Sequence, residues 1–326
     1  MLVLPELDVA RPRSLEAALG ALAAPPGEAA VLAGGTDLLP ALKLGLRAPR
    51  LLVSLRALGE LRAVREVDGA LHVGAGVTLA DLAADARVRA HAPAVAEAAG
   101  LVGSPQVRNM GTLGGNLCLD TRCGYYHQTE FWRDALGNCL RTTPVECHVV
   151  PGGKNCVAAF SADTPPPLLA LGAHVRLASQ AGGERLVPLR AFYNADGIRN
   201  TERRHDELVL EVVVPAEARR ARTSYQKLRL RQAIDFPLLG VAAAAWLDGA
   251  GRVERLVLVV TALGAKPRFV GKLEELVGEP LDARRIARAA ERARAQCHPL
   301  TNLATDTAWR REMTGVLVRR ALEAIA

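Results

Sequence analysis

RNMGTLGGN, residues 108–116, holds three glycines, a threonine and an asparagine within its last seven positions. A loop so rich in glycine lets the backbone approach a ligand closely and can wrap a phosphate chain. A second glycine turn lies upstream in LAGGTDL, residues 32–38, where an apolar strand runs into Gly34-Gly35 and Thr36 opens a helix. Such a junction points backbone N–H groups outward at a helix N-terminus, which suits a pyrophosphate. A Gly-Gly pair before a helix is also an ordinary tight turn, so the motif is weak alone. Two such turns in one chain fit a dinucleotide better than either does separately. Neither continues as G-x-G-x-x-G into a helix with an acidic residue about twenty positions on, which excludes a Rossmann nicotinamide site.

Just beyond the second glycine loop, residues 123–156 read CGYYHQTEFWRDALGNCLRTTPVECHVVPGGKNC. Four of the six cysteines of the chain fall here, at Cys123, Cys139, Cys147 and Cys156, spaced C-x15-C-x7-C-x8-C. There is no CxxC pair of the zinc-ribbon kind and no tight ferredoxin run. Looser spacing still allows a tetrahedral zinc or a cubane iron–sulfur cluster if the loop folds around it. Reduced, buried cysteines without a metal are the third reading. His127 and His148 are possible substitute ligands. A long segment with little periodicity is unusual in a compact domain unless it has a function.

The bulk composition narrows the class. The chain has 326 residues, 50% hydrophobic and 23% charged, which suits a globular protein of two or three domains. No apolar stretch approaches the roughly 20 residues that span a bilayer, and the N-terminus lacks the pattern of a signal peptide. A cytoplasmic protein with reduced thiols and no membrane association is expected. The net charge of +7 comes from arginines interleaved with acids, and aromatics are only 4%. Solvated helix faces account for that charge better than a nucleic-acid surface, which would need arginine–aromatic platforms.

The order of elements follows from the hydrophobic pattern. Residues 1–55 read as a small α/β unit: a helix over 14–24 capped by Ser14, a buried strand over 29–35, a short helix starting at Thr36 or Asp37, and a strand over 51–55. A second α/β unit follows, with a strand over 71–75, a helix capped by Thr78, a helix over 95–103 and a loop over 104–117. Residues 162–179 give a proline-rich entry, a short helix and a strand, and 207–215 give a strand ended by proline. From 219 onward the chain reads as antiparallel strands, two of them joined at DGAGR, followed by helices over 281–296 and 306–325. The boundary before this last part falls near 216–222.

Taken together, LAGGTDLLP, NMGTLGGNLC, SADTPPPLLALGA and YQKLRLRQAIDFPLLGVA resemble, in order and over essentially the whole chain, the FAD-binding subunit of the xanthine oxidase family of molybdenum hydroxylases. The resemblance implies an α+β fold: an FAD-binding domain of two α/β subdomains (vanillyl-alcohol-oxidase-like) over 1–55 and 56–218, and a C-terminal domain over 219–326 with an antiparallel sheet and helices. It implies that Leu32, Ala33, Gly34, Gly35 and Thr36 hold the FAD pyrophosphate from one side. Gly111, Thr112, Gly115 and Asn116 hold it from the other, with Cys118 alongside. It places Asp163 on the adenosine ribose, Val102 at the adenine or flavin, Val209 against the isoalloxazine and Lys227 near the flavin. The plain alternatives are that Asp163 caps the helix after it and that Lys227 is a solvated strand residue.

The cysteine-rich insertion, at 120–158, is similar to that of one branch of the family, the β subunit of 4-hydroxybenzoyl-CoA reductase. That likeness implies a 4Fe–4S cluster on Cys123, Cys139, Cys147 and Cys156. It leaves Cys118 to the flavin loop and Cys297 to a structural role. It further implies a complex with a molybdenum-cofactor large subunit and a 2Fe–2S small subunit, with ferredoxin as the electron donor. Electrons would then reach molybdenum for the reductive dehydroxylation of 4-hydroxybenzoyl-CoA. The chain itself shows no Ser-His-Asp or Cys-His constellation, so no catalytic residue is assigned to it. The other readings are a molybdenum hydroxylase that oxidises its substrate, and a zinc-stabilised binding module.

Overall fold

The computed structural model describes residues 3–143, 145–303 and 305–326. Its first sheet is small and wholly parallel: β1 (Asp8–Ala10), β2 (Ala29–Leu32) and β3 (Leu51–Ser54), in the order β1-β3-β2. Parallel neighbours need crossovers, and the helices Leu15–Leu22 and Leu38–Lys43 supply them. Ser14 caps the first helix by accepting from the Ala17 N–H at 3.2 Å. The second helix begins after Asp37, whose side chain makes no cap bond. Ala18, Leu22, Val53 and Leu58 pack with Leu208 and Leu210, so this unit shares its core with the next sheet.

The second sheet is antiparallel: β4 (Val64–Val67), β5 (Ala70–Gly74), β6 (His174–Ser179), β7 (Gly183–Pro188) and β8 (Leu208–Val214), in the order β4-β5-β8-β6-β7. Between β5 and β6 in sequence lie about a hundred residues that carry the glycine loop and the cysteine segment. Thr78 caps the helix Leu79–Ala84, and the helix Pro93–Gly100 buries most of its alanines. Residues 104–117 are not a simple loop. Ser104 caps the helix Pro105–Met110 by accepting from Val107 N–H at 3.3 Å, with Pro105 in its first turn. Thr112 caps the helix Leu113–Leu117 by accepting from Gly115 N–H at 3.1 Å. Five- and six-residue helices are too short to show a period, but both caps were present in the sequence.

The third sheet holds β9 (Arg222–Leu228), β10 (Leu239–Leu247), β11 (Val253–Thr261) and β12 (Arg268–Phe269), all antiparallel, in the order β12-β11-β10-β9. The expected hairpin at DGAGR joins β10 and β11. β10 reads LGVAAAAWL because both its faces are covered. Val241, Ala243 and Ala245 face the helices Ala283–Gln296 and Thr307–Glu323. Ala242, Ala244 and Trp246 join the main core, where the helix Pro165–Ala170 packs on the sheet. Within the helix Thr307–Glu323, Arg310 is fully buried and, among the described residues, meets no carboxylate. Its guanidinium donates to the carbonyls of Leu238, Leu300 and Ala262 at 3.0, 2.9 and 2.5 Å. Burial holds its pKa down at about 10.

Candidate functional site: a dinucleotide cavity beside a cysteine loop

The two glycine loops touch. A Cβ added at Gly34 would lie 1.9 Å from the Met110 carbonyl oxygen, so only glycine allows the approach. Gly35 adopts φ +71° to turn the chain from β2 into the following helix. Along this seam runs a cavity of about 550 Å³, the size of a cofactor pocket. Its wall includes Ala33, Gly34, Gly35, Thr36, Val102, Gly111, Thr112, Gly115, Asn116, Cys118, Asp163 and Val209. Leu32 ends β2 behind the loop and accepts from Leu55 N–H instead of lining the cavity.

The two loops offer different donors. Among the described residues the amides of Gly34, Gly35 and Thr36 have no protein acceptor and are free for an anion. Those of Gly111, Gly115 and Asn116 are already used, by Val107 O, Thr112 Oγ1 and Thr112 O. The second loop therefore presents a side chain rather than a row of amides. Asn116 Oδ1 accepts from both the N–H and the hydroxyl of Thr164, at 3.1 and 2.7 Å. That fixes the orientation of the amide and leaves Nδ2 as a donor at the cavity wall.

Asp163 reaches the cavity and caps no helix: the helix Pro165–Ala170 starts after Thr164 without a side-chain cap. Its Oδ1 accepts from Tyr225 OH and its Oδ2 from Lys227 Nζ, both at 2.8 Å. Lys227 does not line the cavity and is not solvated. Its side chain is 1% exposed, and Nζ also donates to the Leu101 carbonyl. It stands behind Asp163 and acts on the cavity through that carboxylate. Burial pushes the Asp163 carboxyl up and the Lys227 ammonium down, and their mutual attraction opposes both shifts.

The segment 198–205 went unread in the sequence, yet Ile198, Arg199, Asn200, Thr201, Arg203 and His205 line the cavity, as does Arg47. These positions come from irregular chain, and no local pattern marks them. Arg47, Arg199 and Arg203 bring positive charge that suits a pyrophosphate, beside the acids Asp37, Glu207 and Asp235 of the same lining. Burial raises the Cys118 thiol against the charges of Arg203 and Arg47. It sits at the wall as a small neutral group.

The cysteine loop closes at its base through paired main-chain bonds between Arg122 and Ala159, at 2.7 and 2.6 Å. It is fastened to the cavity rim by an Arg122–Asp37 ion pair and by Arg47 beside Asp120 at 3.9 Å. Arg141 holds Asp120 through two bonds of 2.5 and 2.6 Å. Burial pushes the Cys123 thiol up to about 11, with N–H groups of Tyr125 and Tyr126 opposing and the charges of Cys156 and Cys139 adding to it. Cys147 is buried, and its neighbour His148 stacks on Tyr125 at 5.1 Å and bonds the Asn138 carbonyl. His127 bonds Arg122 and the Cys123 main chain. Among the described residues no three His, Cys, Asp or Glu groups close to single-ion distance. Cys297 is fully buried in the C-terminal core, apart from this loop.

A cavity bounded by two touching glycine loops, free amides, arginines and a fixed carboxylate defines a dinucleotide-binding protein of the non-Rossmann kind. Comparison with known proteins gives the particular family. The family described as FAD binding domain in molybdopterin dehydrogenase matches residues 5–217, and CO dehydrogenase flavoprotein C-terminal domain matches 223–325. The carbon monoxide dehydrogenase medium chain of Hydrogenophaga pseudoflava is 29% identical over 98% of this chain and 97% of its own length. The aldehyde oxidoreductase FAD-binding subunit of Escherichia coli is 33% identical over 73% of this chain and 76% of its own. The solved carbon monoxide dehydrogenase of H. pseudoflava superposes with a TM-score of 0.80 at 28% identity, covering 99% of this chain and 98% of that one. Quinoline 2-oxidoreductase from Pseudomonas putida 86 gives 0.79 at 25% identity over the same shares. The chain belongs to the FAD-binding subunits of the xanthine oxidase family of molybdenum hydroxylases. It is an FAD-binding oxidoreductase subunit, built as an FAD-binding domain followed by a flavoprotein C-terminal domain. Among the described residues no helix is long and apolar enough to cross a membrane.

Proposed function

We propose that this chain is the FAD- and 4Fe–4S-bearing electron-transfer subunit of a cytoplasmic, molybdenum-containing 4-hydroxybenzoyl-CoA reductase. It works with a molybdenum large subunit and a 2Fe–2S small subunit and takes electrons from ferredoxin. Residues 1–55 and 56–218 form the two parts of the FAD domain, with the cluster insertion at 120–158, and 219–326 form the C-terminal domain. The observation that carries this reading is the four-cysteine loop folded onto the rim of the FAD cavity through Arg122–Asp37 and Arg47–Asp120. When bound, FAD supplies one- and two-electron exchange and the cluster supplies single-electron exchange. The residues of the chain bind and orient. The amides of Gly34, Gly35 and Thr36 and the arginines meet the pyrophosphate, Asn116 Nδ2 donates into the cavity, and Asp163, steadied by Lys227 and Tyr225, accepts from the ribose hydroxyls.

A second reading, supported by the names of the relatives, is the FAD subunit of a hydroxylase acting on carbon monoxide, nicotinate or an aldehyde, without a cluster in this chain. Oxygen-free purification with the partner subunits separates the two. About four irons and four sulfides beyond the 2Fe–2S complement, with one FAD, support the relay subunit. Cys139→Ser should then remove those irons and spare FAD, and reduced ferredoxin should drive 4-hydroxybenzoyl-CoA to benzoyl-CoA. FAD without the extra iron sinks the cluster, and zinc without flavin points to a binding module.

A further inference from the structure

The cysteine loop is held from outside the FAD domain. Asn302, 1% exposed, lies in the C-terminal domain between the helices Ala283–Gln296 and Thr307–Glu323. Its carbonyl accepts from the Gly124 N–H at 2.9 Å, and its Nδ2 donates to the Val157 carbonyl at 2.6 Å. Gly124 and Val157 directly follow Cys123 and Cys156. One residue thus pins both the entry and the exit of the loop. It is itself anchored, because buried Arg310 holds the carbonyl of Leu300 two residues earlier. Among the described residues Asn302 Oδ1 is buried and has no donor. A buried amide left half unsatisfied persists where its other bonds are needed.

We infer that Asn302 is a positioning residue for Cys123 and Cys156, so that the C-terminal domain sets the geometry of two of the four cysteine ligands. This rests on the cluster reading above. Asn302→Leu keeps volume and packing and removes the Nδ2 donor. Partners in the second layer around a metal typically alter its retention about 10- to 100-fold, and that is the expected acceleration in the rate at which a ferrous chelator strips the extra iron from the oxygen-free complex. FAD content should stay at the wild-type value. Hydrogen exchange should rise in the segments 121–128 and 155–159, and Asn302→Gln should restore part of the retention. Unchanged stripping and exchange overturn the inference, as does equal loss of FAD and iron, which would mean general unfolding. If the wild-type complex holds no extra iron, the cluster reading fails on its own. Asn302 is then judged by exchange and by alkylation rates at Cys123 and Cys156: faster rates in Asn302→Leu uphold the pin, and unchanged rates refute it.

Discussion

Gly34→Ala tests the touching glycine loops directly. The added methyl carbon would sit 1.9 Å from the Met110 carbonyl oxygen, 2.5 Å from its carbon and 2.9 Å from the Gly111 nitrogen. All three are main-chain atoms, so no rotamer change relieves the overlap and the loops must part. Over-filling a packed site costs about 1–3 kcal/mol. Free protein can separate the loops, whereas the bound form needs them together, so the cost falls on FAD binding. At about 1.4 kcal/mol per tenfold, the expected loss is about 5- to 150-fold in FAD affinity. Titration of flavin-depleted protein with FAD, followed by flavin fluorescence, reads it out. Gly59→Ala is the control, since nothing lies within 4 Å of its Cβ position. An unchanged Kd for Gly34→Ala would refute the placement of FAD across this seam.

The remaining predictions concern the supports of the site. Lys227→Met should destabilise the fold by about 3–5 kcal/mol in urea melts, because it leaves Asp163 charged, buried and without its cation; adding Asp163→Asn should recover much of that loss while weakening FAD binding. Arg310→Met should lower stability by about 2 kcal/mol or more, since three carbonyls lose a charged donor, and a melt matching the wild type would contradict this. Burial alone would raise Glu211, but hydrogen bonds from Arg176 and His72, with the charges of His72 and Arg65, bring it below its ordinary 4.5. Its contribution is therefore fully present above the unfolded value and is lost as pH falls through the lowered folded one. Tm plotted against pH should show a shallower acid limb in Glu211→Gln than in the wild type.

Much of the fold was legible because the signals were local. Ser14 and Thr78 cap helices as their sequence positions suggest, and DGAGR joins two long, largely apolar strands. The glycine motifs marked their loops because close main-chain approach tolerates no side chain, as Gly34 shows. Residues 104–117 misled because two short helices with proline and glycine inside them imitate a loop. That Lys227 stands behind Asp163 could not be read from the sequence, since strand position does not reveal which side chain lies in front of it. The wall made by 198–205, and the reach of Asn302 to Gly124 and Val157, depend on contacts between segments far apart in sequence. No window of sequence contains them.

The bridge between Arg122 and Ala159 has a consequence for how such a loop is gained and lost. Its two ends meet across a single pair of main-chain bonds, so the 36 residues between them can be excised or exchanged with little disturbance to the register of any sheet. On the proposed cluster reading, transplanting the segment into another chain would carry a redox centre with it. Asn302 sets the condition for success: the graft must bring its clasp in the C-terminal domain as well as its cysteines, so the portable unit is discontinuous in sequence.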